Sequence, residues 1–293
     1  MPYADPDALV STEWLAAHLS SPDIRIVDGS FKMPGVVPRA SEDYLRQHIP
    51  GAIFFDIDEI ADAETSLPHM LPSPEKFAVR VRRLGLGDGH RIIVYDSAGL
   101  MSAARVWWTF RVFGHRDVAV LDGGLPKWLA EGRPVEDAVP MPGERHFTAH
   151  FNTMMVRDKE QLRANLASRR EQVLDARAAP RFEGTVDDPW PGRRRGHIPG
   201  SRNLPYDRLL DPQTKTMLPA ERLAALFDAA GIDRRRPVVA SCGSGVTACV
   251  LALGLHLLGH SEVAVYDGSW AEWGLPGDTP VETGPATPAA PAR

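Results

Sequence analysis

Two stretches of the chain repeat each other, and this repeat limits the folds that the chain can adopt. Residues 114–120 recur as residues 259–265, with the glycine, the histidine and the Val-Ala-Val run in the same places. The tetrapeptide His-Ile-Pro-Gly occurs at 48–51 and again at 197–200. Solenoid repeats have shorter periods, of about 20–50 residues. The spacing therefore predicts two copies of one α/β unit of ordinary domain size.

Within each copy, strands and helices alternate along the chain. Short apolar, β-branched runs at 24–28, 91–95 and 118–121 predict buried strands, and helical spacing predicts helices over 73–84 and 102–113. Strands that are separated by helices pair in parallel. We therefore predict an α/β fold of tandem domains, each a mostly parallel sheet covered by helices on both faces.

Changes of composition predict the domain boundaries. We predict a first domain over 1–139 and a second over 152–283. Between them, at 140–151, Pro, Gly and polar residues replace the periodic apolar ones, which predicts a linker. The segment 284–293 is rich in Pro and Ala and is expected to be a disordered tail.

The composition argues against several classes of partner. Hydrophobic residues make up 43% of the 293 residues and the formal net charge is −5, so neither nucleic acid nor an anionic membrane is expected. Residues 1–10 lack the pattern of a signal peptide, and no apolar run approaches the roughly 20 residues of a spanning helix. Cys242 and Cys249 lie too far apart along a helix for a disulfide and have no nearby zinc-binding cluster. We expect a cytoplasmic protein without metal or cofactor.

One of these cysteines lies where an anion is stabilised. Cys242 follows a predicted strand at 236–240 and precedes an apolar helix over 246–258. Gly243 and Gly245 let the backbone turn tightly and point its amides inward, and the helix dipole adds positive potential. Such a cradle favours the thiolate, which is the nucleophilic form of cysteine. We predict that Cys242 is a nucleophile; the alternative is a buried structural cysteine.

The first copy lacks this thiol. At a shift of 145 residues, Cys242 aligns with Ser97, and residues 243–245 align with 98–100. The first domain is therefore predicted to be catalytically silent and to help shape a pocket between the two domains.

These motifs resemble those of the two-domain rhodanese family, from about residue 11 to residue 282. The resemblance rests on residues 242–248, on both His-Ile-Pro-Gly turns and on the Tyr-Asp-Gly-Ser-Trp run at 266–270. It is strongest for the branch that acts on 3-mercaptopyruvate. It implies that the thiolate takes sulfur from this small-molecule donor, releases pyruvate and becomes a persulfide. A thiol acceptor such as thioredoxin, or cyanide in an assay, then takes the sulfur.

The resemblance also implies a substrate carboxylate ligand. Residues 175–184 match the family stretch that carries a substrate-binding Arg-Phe pair, which points to Arg181, although Pro180 replaces the usual glycine. The planar fork of arginine meets a carboxylate with two hydrogen bonds; a solvated surface arginine is the alternative. The position of the family's second substrate arginine is occupied by Trp190 here, with the arginines at 193–195 close by.

Loop residues complete the predicted site. In relatives, the loop serine joins a proton relay with a histidine and an acid of the first domain. By position, Ser244 and His48 match, with Glu42 and Asp43 near the place of the acid. Such a relay polarises the ketone or protonates the departing enolate; a turn histidine bonded to backbone is the alternative for His48. The other predicted substrate contacts in the loop are Gly243, Gly245, Val246 and Thr247.

Three other functions share some of these sequence features. A cysteine phosphatase needs an arginine six positions after the nucleophile, where this chain has Ala248. A thiosulfate sulfurtransferase places basic residues in the loop to bind a dianion, whereas residues 243–245 are neutral. A non-catalytic persulfide carrier or scaffold requires neither Arg181 nor a pocket for a keto acid. The last two remain open as alternatives.

Overall fold

The computed structural model describes residues 2–286 and contains two five-stranded parallel sheets, one in each half. The first has the order β1-β5-β4-β2-β3 and the second β6-β10-β9-β7-β8, so the two topologies are the same. The strands are β1 Leu9–Val10, β2 Ile24–Asp28, β3 Ile53–Phe54, β4 Arg91–Tyr95, β5 Val118–Leu121, β6 Val156–Arg157, β7 Gln172–Asp175, β8 Arg202–Asn203, β9 Val238–Ser241 and β10 Val263–Tyr266.

Helices flank both sheets, which confirms the predicted tandem α/β fold. They are α1 Thr12–Ala17, α2 Ala40–Arg46, α3 Pro74–Arg83, α4 Ala103–Val112, α5 Gly124–Ala130, α6 Lys159–Ser168, α7 Ala179–Phe182, α8 Ala220–Ala229, α9 Ala248–Leu257 and α10 Ser269–Trp273. Three short 3-10 helices lie at 6–8, 153–155 and 206–209. None of the helices in this part of the chain is long and apolar enough to cross a membrane.

The two halves share one apolar core, and its centre is the pair α4 and α9. Both helices are buried nearly all round, the exceptions being Arg111 in α4 and His256 in α9. One hydrophobic cluster runs through both helices and through the inner faces of both sheets. A smaller cluster covers the outer face of each sheet. Because burial of apolar surface is the main stabilising term in folding, the two halves are held together by the same core that stabilises each of them.

The segment predicted to be a linker packs against the first half. No helix or strand is formed over 137–152, but Phe147 is fully buried in the shared core. The backbone N–H of His150 donates to the carbonyl of Phe113 at 2.9 Å. At the other end of the chain, Gly284 N donates to Glu183 O at 2.8 Å. Of the predicted tail, residues 287–293 lie outside the described residues.

Each half extends an arm over the other half. We call residues 56–72 the first arm and residues 204–218 the second arm. The N–H of Leu71 in the first arm donates to Asp267 at 2.7 Å, and the N–H of Met217 in the second arm donates to Asp122 at 2.7 Å. Both aspartates directly follow the equivalent strands β10 and β5. The arms are therefore related by the same internal pseudosymmetry as the sheets, and each covers one strand-to-helix loop of the opposite half.

Candidate active site

The loop that begins at Cys242 leaves the carboxyl end of β9 and is pinned from one side by the start of α10. Cys242 is 2% exposed, and its N–H donates to the hydroxyl of Ser269 at 3.1 Å. The carbonyls of Cys242 and Gly243 accept hydrogen bonds from Trp270 N and Ala271 N, at 3.0 and 2.7 Å. These bonds fix the backbone on both sides of the sulfur atom.

The rest of the loop presents unpaired amides. Residues 243–246 are buried, yet among the hydrogen bonds of the described chain the N–H groups of 243–247 have no acceptor. Buried backbone donors are almost always satisfied in proteins, so this row of donors indicates a site for an anion at the start of α9. The row begins beside Cys242, so the thiolate of this residue is one anion that the donors can stabilise.

The two loop glycines are required for different reasons. Gly245 has φ +78°, and a Cβ there would lie 2.7 Å from the carbonyl oxygen of Asp267. Gly243 has ordinary backbone geometry, but a Cβ there would lie 2.8 Å from a guanidinium nitrogen of Arg181. Gly245 therefore permits the turn, and Gly243 permits the close approach of the arginine that was predicted to bind substrate.

The equivalent loop of the first half holds an aspartate where the second holds the cysteine. Tyr95 pairs with Asp28 as Ser241 pairs with Asp175. The residue after β4 is Asp96, so the alignment of Cys242 with Ser97 was wrong by one position. The reason is a loop of seven residues (96–102) between β4 and α4, against six (242–247) between β9 and α9.

The Asp96 carboxylate fills the first cradle from within. It accepts hydrogen bonds from the N–H groups of Ala98 and Gly99, both at 2.8 Å, and of Met101 and Ala103, both at 2.7 Å. In the first loop, the Asp96 carboxylate therefore satisfies backbone N–H groups like those that are unpaired in the second loop.

A histidine from the first arm meets the loop serine. His69 Nδ1 lies 2.9 Å from Ser244 Oγ, and Nε2 lies 3.1 Å from a carboxylate oxygen of Asp58. His69 is fully buried, whereas Asp58 is half exposed. Ser244, His69 and Asp58 thus form a chain of polar contacts that leads from the loop to solvent.

The prediction of His48 as the partner of Ser244 was wrong. His48 Nδ1 is bonded to the carbonyl of Tyr44 at 2.7 Å, and its ring stacks on the Tyr44 ring at 4.1 Å. Its counterpart in the second half, His197, makes the same kind of bond to Phe182 O at 2.8 Å. The two His-Ile-Pro-Gly histidines are structural, which was the alternative for His48.

The acid was misplaced as well, since neither Glu42 nor Asp43 contacts the relay. Glu42 caps its own helix by accepting from Arg39 N, and Asp43 is paired with Lys32. The sequence carried little signal for the correct residues, because His69 and Asp58 lie in an irregular segment without periodicity. His69 and Ser244 are 175 residues apart and meet only through the crossing of the arm.

Arg181 lies at the loop, as predicted, and is oriented by a network of charges. Its Nη2 donates to Asp188 at 2.8 Å. The neighbouring Arg177 makes three hydrogen bonds to the carboxylate of Asp175, and its Nη1 lies 3.6 Å from Asp188. The Nε of Arg181 is buried and has no hydrogen-bond partner among the described residues, and the side chain is 26% exposed. Arg181 therefore has donors left for an anionic ligand beside Gly243.

Trp190 also lies at the site. Its N–H donates to Asp188 at 3.0 Å, and its ring meets His69 edge-on with the centroids 5.6 Å apart. Its indole nitrogen would lie 3.6 Å from a Cβ at Gly243. Trp190 thus adds an apolar wall and one N–H where a second arginine would bring a charge.

The arginines at 193–195 are engaged elsewhere. Arg193 Nε donates to Ala271 O at 2.9 Å, and Arg194 NH1 donates to Thr279 O at 2.8 Å. Arg195 pairs with Asp187 at the surface. Among the described residues, none of the three donates a hydrogen bond to the cysteine loop.

Two further groups lie behind the loop. Cys249, in the first turn of α9, has its thiol against the carbonyl of Gly245 at 3.2 Å, and burial raises the pKa of this thiol. Arg105 of α4 pairs with Asp267 at 2.7 Å and donates to Gly245 O at 3.2 Å. Burial by itself lowers the pKa of Arg105, but the negative groups around it, first among them the Asp267 carboxylate, together raise that pKa.

Comparison with known proteins agrees with this geometry. The family model described as "Rhodanese-like domain" matches residues 11–131 and 158–275. The chain belongs to the rhodanese family. Among its relatives, the 3-mercaptopyruvate sulfurtransferase of Escherichia coli (strain K12) is 44% identical over 93% of this chain and 97% of its own length. The thiosulfate sulfurtransferase of Bos taurus is 44% identical over 91% of both.

A solved rhodanese structure supports the assignment. The crystal structure of SseA from Escherichia coli aligns with a TM-score of 0.82 at 40% identity and covers 90% of this chain and 99% of its own. The thiosulfate/3-mercaptopyruvate sulfurtransferase 1, mitochondrial, of Arabidopsis thaliana is 44% identical over 94% of this chain and 78% of its own length. The resemblance predicted from the sequence motifs is therefore confirmed, and both halves are rhodanese domains.

Proposed function

We propose that this rhodanese-family sulfurtransferase takes sulfur from 3-mercaptopyruvate as a persulfide on Cys242 and passes it to a thiol. The observation that carries the proposal is the Ser244–His69–Asp58 chain beside an uncharged loop of unpaired amides. A keto-acid donor needs the polar chain, because its leaving group is an enolate that must be protonated. It is compatible with the uncharged loop, because the donor carries a single negative charge.

The first half-reaction balances with one proton. The Cys242 thiolate attacks the sulfur of 3-mercaptopyruvate, the S–S bond forms, and the C–S bond breaks with its electron pair left on the pyruvate enolate. The amides of 243–247 stabilise charge at the sulfur. The Ser244 hydroxyl donates to the ketone oxygen and relays a proton from His69 to the enolate, and Asp58 holds the other edge of the imidazole ring.

Charge placement favours 3-mercaptopyruvate over thiosulfate. Arg181 already shares its charge with Asp188, and Trp190 supplies no charge. One partly neutralised arginine suits a single carboxylate, whereas the compact dianion of thiosulfate needs more positive charge close to the sulfur. The relatives are named for one or both donors, so the comparison of the two donors is decisive.

Steady-state kinetics with both donors tests the choice of substrate. We expect a higher kcat/KM with 3-mercaptopyruvate than with thiosulfate. Arg181→Ala should lower kcat/KM for 3-mercaptopyruvate by roughly 30-fold or more, equivalent to about 2–4 kcal/mol for a lost charge-assisted contact. Trp190→Arg should lower KM. A wild-type preference for thiosulfate, or an unchanged kcat/KM in Arg181→Ala, contradicts the proposed donor.

The first domain is proposed to be silent because Asp96 occupies its cradle. In a Cys242→Ser background, Ser97→Cys should not restore turnover, since the new thiol is one position away from the place equivalent to Cys242. Asp96→Cys puts the thiol in that place but still lacks a serine and a histidine. Ala98 is equivalent to Ser244, and Lys215, two residues before Met217, is equivalent to His69, two residues before Leu71. Turnover above a few per cent of wild type in either variant contradicts a silent domain.

A cellular thiol is the proposed acceptor, and the cytoplasm the proposed compartment. Both cysteines are free, as in reducing compartments that supply thiols. The acceptor thiolate attacks the outer sulfur of the persulfide, and the Cys242 thiolate leaves. Persulfidated protein mixed with reduced thioredoxin should release hydrogen sulfide and regain its Cys242 thiol. A persulfide that survives excess thioredoxin excludes that acceptor.

A further inference from the structure

The buried ion pair between Arg105 and Asp267 joins the two domains directly behind the active site. Arg105 projects from α4 of the first domain, and its side chain is 3% exposed; the Asp267 side chain is 6% exposed and follows β10 of the second. The guanidinium lies 2.7 Å from the carboxylate. Such a pair costs desolvation energy on both sides and is weak evidence for a purely stabilising role.

Arg105 also donates to two backbone carbonyls next to the Ser244–His69 contact. NH1 donates to the carbonyl of Gly245, in the cysteine loop, and NH2 donates to the carbonyl of His69, in the first arm. His69 has φ +61°, a left-handed conformation that a histidine adopts at a cost. One rigid fork therefore holds the loop, the arm and Asp267 in a fixed relation. The left-handed backbone is common to both arms, since the equivalent Lys215 of the second arm has φ +60°.

The silent side of the molecule supplies an internal comparison. There, Asp122 accepts from Met217 N just as Asp267 accepts from Leu71 N. The position in α9 that is equivalent to Arg105 holds Val250. Each is the third residue of its helix, and both helices begin with alanine. The contact between arm and aspartate thus forms without an arginine. Of these two equivalent positions, the arginine occupies the one beside the arm that places His69 against Ser244.

We propose that Arg105 is a positioning residue, which holds His69 against Ser244 for the proton step of the 3-mercaptopyruvate reaction. This inference rests on the proposed function. It touches no substrate. Its planar fork spans three acceptors, which the single ammonium group of a lysine does not reproduce. Reactions that need a positioned proton donor are sensitive to small displacements of that donor.

The test uses the full-length protein and two variants that differ in how they treat the ion pair. Arg105→Lys keeps the charge and loses the fork. The double variant Arg105→Met/Asp267→Asn removes both charges, and its Asn oxygen still accepts from Leu71 N. We expect kcat with 3-mercaptopyruvate to fall roughly 10- to 100-fold in both, within the range of general-acid contributions, while KM changes less than about threefold.

A cycle with His69→Ala separates positioning from general damage. If Arg105 acts through His69, adding Arg105→Met/Asp267→Asn to His69→Ala should change kcat by less than about twofold. Asp122→Asn, at the equivalent contact of the silent side, should keep wild-type kcat and KM. Circular dichroism and thermal unfolding identify any variant that does not fold, in which case Arg105→Lys alone decides.

The outcomes separate this inference from the function on which it rests. Wild-type kcat in a folded Arg105 variant, or losses that multiply in the His69→Ala background, overturns the positioning role alone and leaves the relay intact. Wild-type kcat in His69→Ala overturns the relay itself, and the positioning role with it.

Discussion

Cys242 and Cys249 lie on one loop and helix, yet their surroundings give them opposite chemistry. Cys242 lies at the start of a row of unpaired amides beside Arg181 and Ser244. Cys249 is fully buried in the shared core, where its thiol meets a backbone carbonyl. A carbonyl favours the protonated thiol, as does burial, and the pKa of Cys249 is raised by burial.

This difference predicts which thiol is reactive. At neutral pH, iodoacetamide should modify Cys242 and leave Cys249 unmodified in the folded protein, because only a thiolate is a good nucleophile. Peptide mass spectrometry measures the two sites separately. Cys249→Ala should retain near-normal turnover, while Cys242→Ser should have none. Alkylation of Cys249 at a comparable rate would show that our account of its surroundings is wrong.

Gly243 makes a second test at the scale of one residue. In Gly243→Ala the new methyl group meets the Arg181 guanidinium, so the arginine must move away from the loop. We expect kcat/KM with 3-mercaptopyruvate to fall about 10-fold or more, with most of the change in KM. Gly143→Ala is the matched control, since a Cβ there has no neighbour within 4 Å and the backbone is not left-handed. Equal kinetics for the two variants contradict the proposed contact.

At the scale of elements, the two strand-to-helix loops show how one fold produces an active and an inactive site. In the second domain the loop donors are left open for a ligand. In the first, the Asp96 carboxylate accepts from four N–H groups and has become part of the core structure. A loop closed in this way contributes to stability, whereas the open one is available for chemistry.

The closed loop predicts a large effect on stability. Asp96→Ala removes the acceptor of four N–H groups, and two of them, those of Gly99 and Ala103, are buried, so the free energy of unfolding should fall by about 2–5 kcal/mol. Ser97→Ala, the neighbouring control, removes a hydroxyl that makes no hydrogen bond within the described part of the chain, and it should change the free energy of unfolding by less than about 1 kcal/mol. Urea unfolding followed by circular dichroism measures both. A small effect of Asp96→Ala contradicts the role of this carboxylate as an internal anion.

Sequence reasoning succeeded where the signal is local and failed where it is long-range. The strand at 91–95 and the helix begun by Ser73 and Pro74 follow from local periodicity and capping, and the structure has them as β4 and α3. The placement of Arg181 came from a motif. His69 could not be found in this way, because it acts through a loop 175 residues away. The one-residue difference between the loops was invisible without strand register.

At the scale of the whole molecule, the domain interface is nearly symmetric, but its charges are not. Asp267 is paired with Arg105. Among the described residues, the equivalent Asp122 has instead a hydrogen bond from Met217 N and the more distant positive charge of Lys127. Burial raises the pKa of Asp122 from 3.8 to about 6, against the lowering effect of these two groups. The silent side of the interface is therefore sensitive to pH.

The sign of this effect is fixed by linkage. Because the pKa of Asp122 is higher in the folded state, its contribution is most favourable below about pH 4 and is lost as pH rises through about 6. The Asp122→Asn variant has no carboxylate to ionise, so it does not lose stability as the pH rises, and its amide oxygen still accepts from Met217 N. We expect the variant to unfold at a higher temperature than wild type at pH 7.5, by the equivalent of up to about 3 kcal/mol, and at a similar temperature at pH 4. A variant less stable than wild type at pH 7.5 contradicts this assignment.

The central claim is that sulfur from 3-mercaptopyruvate passes through Cys242. It is tested most directly by mixing the protein with 3-mercaptopyruvate in the absence of an acceptor and measuring pyruvate and protein mass together. The account predicts one pyruvate released per chain and one added sulfur atom, located on the peptide that contains Cys242. Pyruvate released without added sulfur, or sulfur found on Cys249, would contradict it.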